Sequence, residues 1–231
     1  MATPAHSKQI VQAARVSLKP IGFVQKGSSR SFLSDEGLWS CIIEFQPHGS
    51  ARGTFLNVGA HWLWTTHDYI SFDLGAGPHG SPRIHEFESA DNALTFEAVA
   101  NDLAQQAATC ALRLRESLAN ISQITERLKE SEAERDRKPP CWNAYHLGIA
   151  YGLGKHTSSA VKKLQLVADQ PTPYPWMAKR RSDAFLLIDL LTDGAGFASE
   201  IEGRILATRR RLKLKDSTLA EMLVAPEPQQ R

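Results

Sequence analysis

The sequence predicts an α+β fold, an antiparallel sheet of about three to five strands packed against helices and followed by an all-helical C-terminal region. Three observations predict it. Apolar residues fall at helical spacing near the start of the chain, alternate with a period of two from Gly22 to about Trp64, and return to helical spacing after Asp91 with no later strand signal.

The first helix begins near Ser7, because Ile10, Val11, Ala14 and Leu18 share one helical stripe; Pro20 and Gly22 in "KPIGF" then end it. "SRSFLS", "LWSCIIEFQ" and "TFLNVGAHWLW" follow as alternating segments, separated by the turn-forming "SDEG" and "PHGSARG". They read as a meander of antiparallel strands. "FDLGAGPHGSP" reads as an irregular loop and "RIHEF" as a short edge strand. Phe96, Val99, Leu103, Ala107, Cys110 and Leu114 then mark a long helix, and "ANISQITERLKESEAERDRK" a second one that becomes almost wholly charged before two prolines. A solvated charge run ending in "PP" cannot continue a helix, which places a boundary at Lys138 to Pro140. The expected organisation is an α+β domain over 1–138, a helical region of about five helices over 139–225 and a disordered tail over 226–231.

With 231 residues, 42% of them hydrophobic, the chain can bury substantial cores. Lys plus Arg number 27 against 25 Asp plus Glu, so the whole molecule has no net field that draws it to nucleic acid or an anionic membrane. Cys41, Cys110 and Cys141 are widely spaced among apolar residues and suit small hydrophobes in a reducing compartment. The start of the chain lacks the apolar core of a secretory signal, and no run is long enough to span a bilayer. The expectation is a cytoplasmic protein without a membrane partner.

The first half, from Ile10 to Leu128, resembles the family catalogued as domain of unknown function 4304. "LKPIGFVQKGSSRSF" after a helix, "IIEFQ" and "FLNVG" in successive strands and the helix from "TFEAVANDLAQQ" carry the resemblance. It implies helices against an antiparallel sheet and brings no established reaction, so no catalytic residue follows from it. In "YHLGIAYGLGKHTSSAVKKL", Leu147, Gly148, Tyr151, Ala160 and Leu164 are similar to the packing positions of a single tetratricopeptide-like helical hairpin. Its turn glycine, Gly154, comes one position early, and no second unit follows.

Strand alternation sends Leu56, Val58, Ala60, Trp62 and Trp64 to one face, entirely apolar, so both tryptophans read as core. Trp39, Cys41, Ile43 and Phe45 point the same way from the neighbouring strand. The opposite face collects Glu44, Gln46, Asn57 and His61, with Arg30 or Phe32 beside them on the first strand. A carboxylate, an amide and an imidazole on one surface suit a polar ligand or acid-base work, whereas open antiparallel sheets ordinarily turn a polar face to water. Arg30, Glu44, Gln46, Asn57 and His61 are therefore candidate binding residues, with no catalytic residue assigned.

His61 and His67, and His79 and His85, lie six apart, without the one-turn spacing of a helical metal motif, so no metal is assigned. "DLGAGPHG" lacks the lysine of a phosphate loop and no nucleophile elbow occurs, so no cofactor is expected. Of the basic clusters "KRR" at Lys179 to Arg181 and "RRRLKLK" at Arg209 to Lys215, the second sits at the end of a helix, where cations complement the macrodipole and extend into solvent. A nucleic-acid surface needs aromatic or polar readers beside such clusters, and the sequence displays none. The leading expectation is a non-enzymatic recognition module with another protein as partner, a bacterial toxin-neutralising or regulatory protein being one version. The alternatives are a small hydrolase or nucleic-acid-processing enzyme using Glu44 with His61, and a nucleic-acid binder using the basic helices.

Overall fold

Helix α1 (Ala5–Leu18) buries Ile10, Ala13, Ala14 and Leu18 along one stripe, and Gly22, at φ 86°, caps the 3₁₀ turn that ends it. The computed structural model describes residues 5–47, 53–77, 80–88, 93–134, 141–171 and 174–223. Lys138 to Pro140 and the tail expected over 226–231 lie outside them. Two compact units form: Met1–Trp62 with Asp68–Glu116, and Leu63–His67 with Ser117–Arg231.

In the first unit the strands are β1 (Val24–Gln25), β2 (Ser31–Asp35), β3 (Trp39–Pro47), β4 (Gly53–Trp62), β5 (Leu74–Gly75) and β6 (Arg83–Glu88). All pair antiparallel in the order β1-β2-β3-β4-β5, with β6 also pairing with β4. Of these, β1 and β5 are two residues each, too short for any periodicity to reveal. The register sets Phe32 beside Ile43 and Val58, Cys41 beside Ala60, Phe45 beside Leu56 and Trp39 beside Trp62, and all of these are buried. Burial pushes the Cys41 thiol well up from its ordinary value, as an inert core position requires. Helix α2 (Ala93–Ser117) reaches α1 where Phe96 packs on His6, with ring centroids 4.2 Å apart. Near its far end Arg115 bonds the Glu36 carboxylate at 2.7 Å and the Ile21 carbonyl at 2.8 Å.

The second unit contains α3 (Ile121–Glu134), α4 (Cys141–Leu153), α5 (Thr157–Ala168), α6 (Pro175–Thr192), α7 (Phe197–Leu212) and α8 (Leu219–Leu223). Its centre is α4, on which Asn143, Ala144, Tyr145, His146, Leu147, Ile149 and Ala150 are all buried. Helix α3 turns Ile124, Leu128 and Ser131 inward and packs on α4, so its charge run is the wet side of an amphipathic helix that counts with this unit. Gly148 lets α5 approach: a Cβ there would lie 2.8 Å from Leu164 Cγ. At the turn between them the left-handed conformation falls on Lys155, at φ 62°, one residue after Gly154.

Candidate functional site

On the sheet, Glu44 and Asn57 are direct cross-strand partners, and the Asn57 amide donates to Gln46 Oε1 at 3.0 Å and to Glu44 Oε2 at 3.3 Å. These three candidates meet. Beside them Arg83, in register with Asn57 on β6, lays its guanidinium 3.7 Å from the Phe55 ring centroid. Arg83 was not legible as a neighbour, because a register irregularity between Leu56 and Asn57 sets its place. The Asn57 amide is spent inside the cluster, on Gln46 and Glu44.

Arg30 does not join it. Ser31 pairs with Glu44, so Arg30, one residue earlier, projects to the opposite, helix-covered face, where Nε bonds Ser7 Oγ at 2.8 Å and Nη1 bonds Thr54 Oγ1 at 3.0 Å. Phe32 is likewise in the core, edge-on to Phe45.

His61 shares the face of Glu44 but stands four residues along β4 from Asn57, about 13 Å at the rise of a strand. The acid-base pair of Glu44 with His61 therefore does not form. Nor is His61 on an open surface: it is fully buried, with Nδ1 3.3 Å from Asp73 Oδ2 and 3.2 Å from Ser71 Oγ. Ser71 and Asp73 both approach the same ring nitrogen, and the serine hydroxyl donates to Asp73 Oδ1 at 2.6 Å. In a Ser-His-Asp triad the two partners use different ring nitrogens and the hydroxyl proton faces the imidazole. The arrangement here is a clasp that holds the segment around β5 against β4, with the Trp62 N–H donating to Asp73 Oδ2 at 2.8 Å.

Strand β4 ends at Trp62, and Trp64 is buried in the helical unit, where its Nε1–H donates to His146 Nδ1 at 3.1 Å. Alternation assigned both tryptophans to the sheet core, but the period continues past the last residue that has a strand partner, Trp62 opposite Trp39. His79 lies outside the described residues, and His85 is exposed on β6.

The helical unit holds a feature that the sequence reading missed. Tyr174 and Trp176 rings stack at 6.3 Å and 5°, Trp176 and Trp142 at 5.4 Å and 13°, and Trp142 and His146 at 6.3 Å and 23°. Four near-parallel rings thus form a ladder from α6 to α4. Its inner end is buried at His146, whereas Tyr174 and Trp176 are 58% and 45% exposed. Trp142 and His146 are one helical turn apart on α4, and Tyr174 and Pro175 open α6, which directs the Trp176 ring toward Trp142.

Arg180, one turn after Trp176, is only 6% exposed; its guanidinium lies 4.3 Å from the Trp142 ring centroid and 4.1 Å from that of Tyr145. Among the described residues its Nη1 has no hydrogen-bond partner. The nearby carboxylate of Asp183 is engaged by Arg204 at 3.7 Å and by the Thr66 hydroxyl at 3.3 Å. Burial raises the Tyr145 phenol from its ordinary value despite Arg204 and Arg180 beside it, and its oxygen accepts from Arg204 Nη1 at 2.8 Å.

The expectation that the cluster over Arg209 to Lys215 extends into solvent from a helix end is therefore corrected at Arg209, and the first cluster is not wholly solvated either. Arg180 is enclosed by aromatic rings, and Arg209, 3% exposed, uses Nε to bond the Lys215 carbonyl and so closes the end of α7. The signal available in sequence was "YPWMAKRR", which sets an aromatic one helical turn before a cation; the partners Trp142 and Tyr145 come from another helix. No protein-family profile, curated protein or solved structure matches this chain.

Proposed function

We propose that this chain is a recognition module which binds a macromolecular partner through the aromatic ladder of its helical unit. The observation that carries this reading is the exposure of Tyr174 and Trp176 in a stacked, oriented pair. Large aromatics held in place by neighbours present contact area with little conformational entropy left to lose, which is why Trp and Tyr dominate binding hot spots. The sheet unit, whose Asn57, Glu44 and Gln46 are bonded to one another, has the character of a scaffold with a polar face.

The test is affinity capture from native-cell extract with the wild-type chain and with Trp176→Ala and Tyr174→Ala, analysing both proteins and nucleic acids in the eluate. Partners specific to the wild type should be lost from both variants. Retention of every partner by both variants would sink the reading.

A further inference from the structure

We propose that the ligand of the ladder is single-stranded nucleic acid, a refinement that rests on the recognition reading above. Three independent features converge at the start of α6. The outer ring, Tyr174, lies nearly parallel to Trp176 and is the more exposed of the two, so the ladder ends in a flat aromatic surface of the kind on which an unpaired base stacks. A duplex has no such free base face in its interior.

The second feature is charge. Lys179 and Arg180 follow Trp176 at three and four residues, which sets both cations on the flank of the helix that carries the ladder. Arg181 is on another side, its guanidinium 5.6 Å from the Phe185 ring centroid. Arg180 is buried against Trp142 with an unpartnered Nη1, so a cation sits in a low-dielectric setting with donor capacity unspent. Its charge adds to the field of Lys179, although Nη1 itself does not reach solvent.

The third feature is the helix terminus itself. Helix α6 runs 18 residues, has no acidic residue in its first turn and no side-chain cap on Tyr174. With no carboxylate in the first turn, the helix dipole and Lys179 in the next turn act there together, and both favour a phosphate. Stacking ring, Lys179 and the positive end of the helix dipole together match a base with its adjoining backbone phosphate. An apolar or acidic protein segment would use the rings or the charge, but the parallel planes and the phosphate-type site together fit a strand.

Fluorescence anisotropy of the full chain with a labelled oligonucleotide of about 12 nucleotides, its duplex and a mononucleotide tests this. The single strand should bind, with the duplex and the mononucleotide at least about tenfold weaker. Trp176→Ala and Tyr174→Ala should each weaken the single strand about fivefold or more, the effect of losing one stacked base, and Trp176→Phe should recover part of it. Lys179→Gln should leave the fold intact and reduce the slope of log affinity against log salt by about 0.7, one phosphate contact on a single strand. Equal binding of duplex and single strand, or no effect of the aromatic variants, overturns the assignment. If no oligonucleotide binds while Trp176→Ala still loses protein partners from extract, the ligand is a protein and only the recognition reading survives. If neither oligonucleotides nor extract partners depend on Trp176 or Tyr174, both fall.

Discussion

The Asp73 carboxylate accepts the backbone N–H of Trp62 at 2.8 Å, and so joins the last residue of β4 to the segment that begins β5. The same carboxylate takes the Ser71 hydroxyl and lies against the imidazole of fully buried His61. Asp73→Ala should lower the unfolding free energy by about 2 to 3 kcal/mol, because charge-assisted bonds are lost and their donors stay in the interior. Asp73→Asn, which keeps one acceptor oxygen, should cost less. Urea unfolding followed by tryptophan fluorescence measures both, and a cost below about 0.5 kcal/mol, within the range of an ordinary surface change, would show that the clasp does not hold β5.

Close approach of α4 and α5 makes a second prediction. Gly148→Ala should destabilise by about 1 to 3 kcal/mol, since the new methyl would sit 2.8 Å from Leu164 Cγ and 3.4 Å from the Ala160 carbonyl. Gly203→Ala on α7 is the control. Its added methyl would meet nothing within 4 Å, so helix propensity alone should act and stabilise by about 0.5 to 1 kcal/mol. Calorimetric midpoints that move in the same direction for both variants would contradict the packing at Gly148.

Glu36 predicts a pH dependence. Burial raises its carboxyl above the ordinary 4.5, and this outweighs the Arg115 guanidinium at 2.7 Å and the Ser34 hydroxyl at 2.6 Å. The folded protein then keeps this proton to higher pH than the unfolded chain does, so the group's contribution is complete below the unfolded value and declines as pH rises through the folded one. Glu36→Gln removes the titration. The stability of the variant relative to wild type should climb between about pH 4 and pH 7, followed by urea midpoints at each pH. A relative stability that falls over that interval would mean that Arg115 dominates and the carboxyl is depressed.

Local pattern determined a good deal of this protein. Alternation located β2, β3 and β4 and sent Cys41, Ile43, Phe45, Leu56, Val58 and Trp62 to the core, because side chains on a strand must alternate and only one face could be apolar throughout. Spacings of three and four located the helices for the same kind of reason. The sharing of one surface by Glu44, Gln46 and Asn57 followed from parity within two long strands. What parity could not supply was the count of residues between strands, so Arg30 fell on the wrong face, and nothing local could show that the segment bearing Ser71 and Asp73 would bury His61. The ladder of Tyr174, Trp176, Trp142 and His146 was decided by tertiary structure alone. Its rings come from two helices more than twenty residues apart, and stacking depends on interhelical distance and rotation, which no single helix encodes.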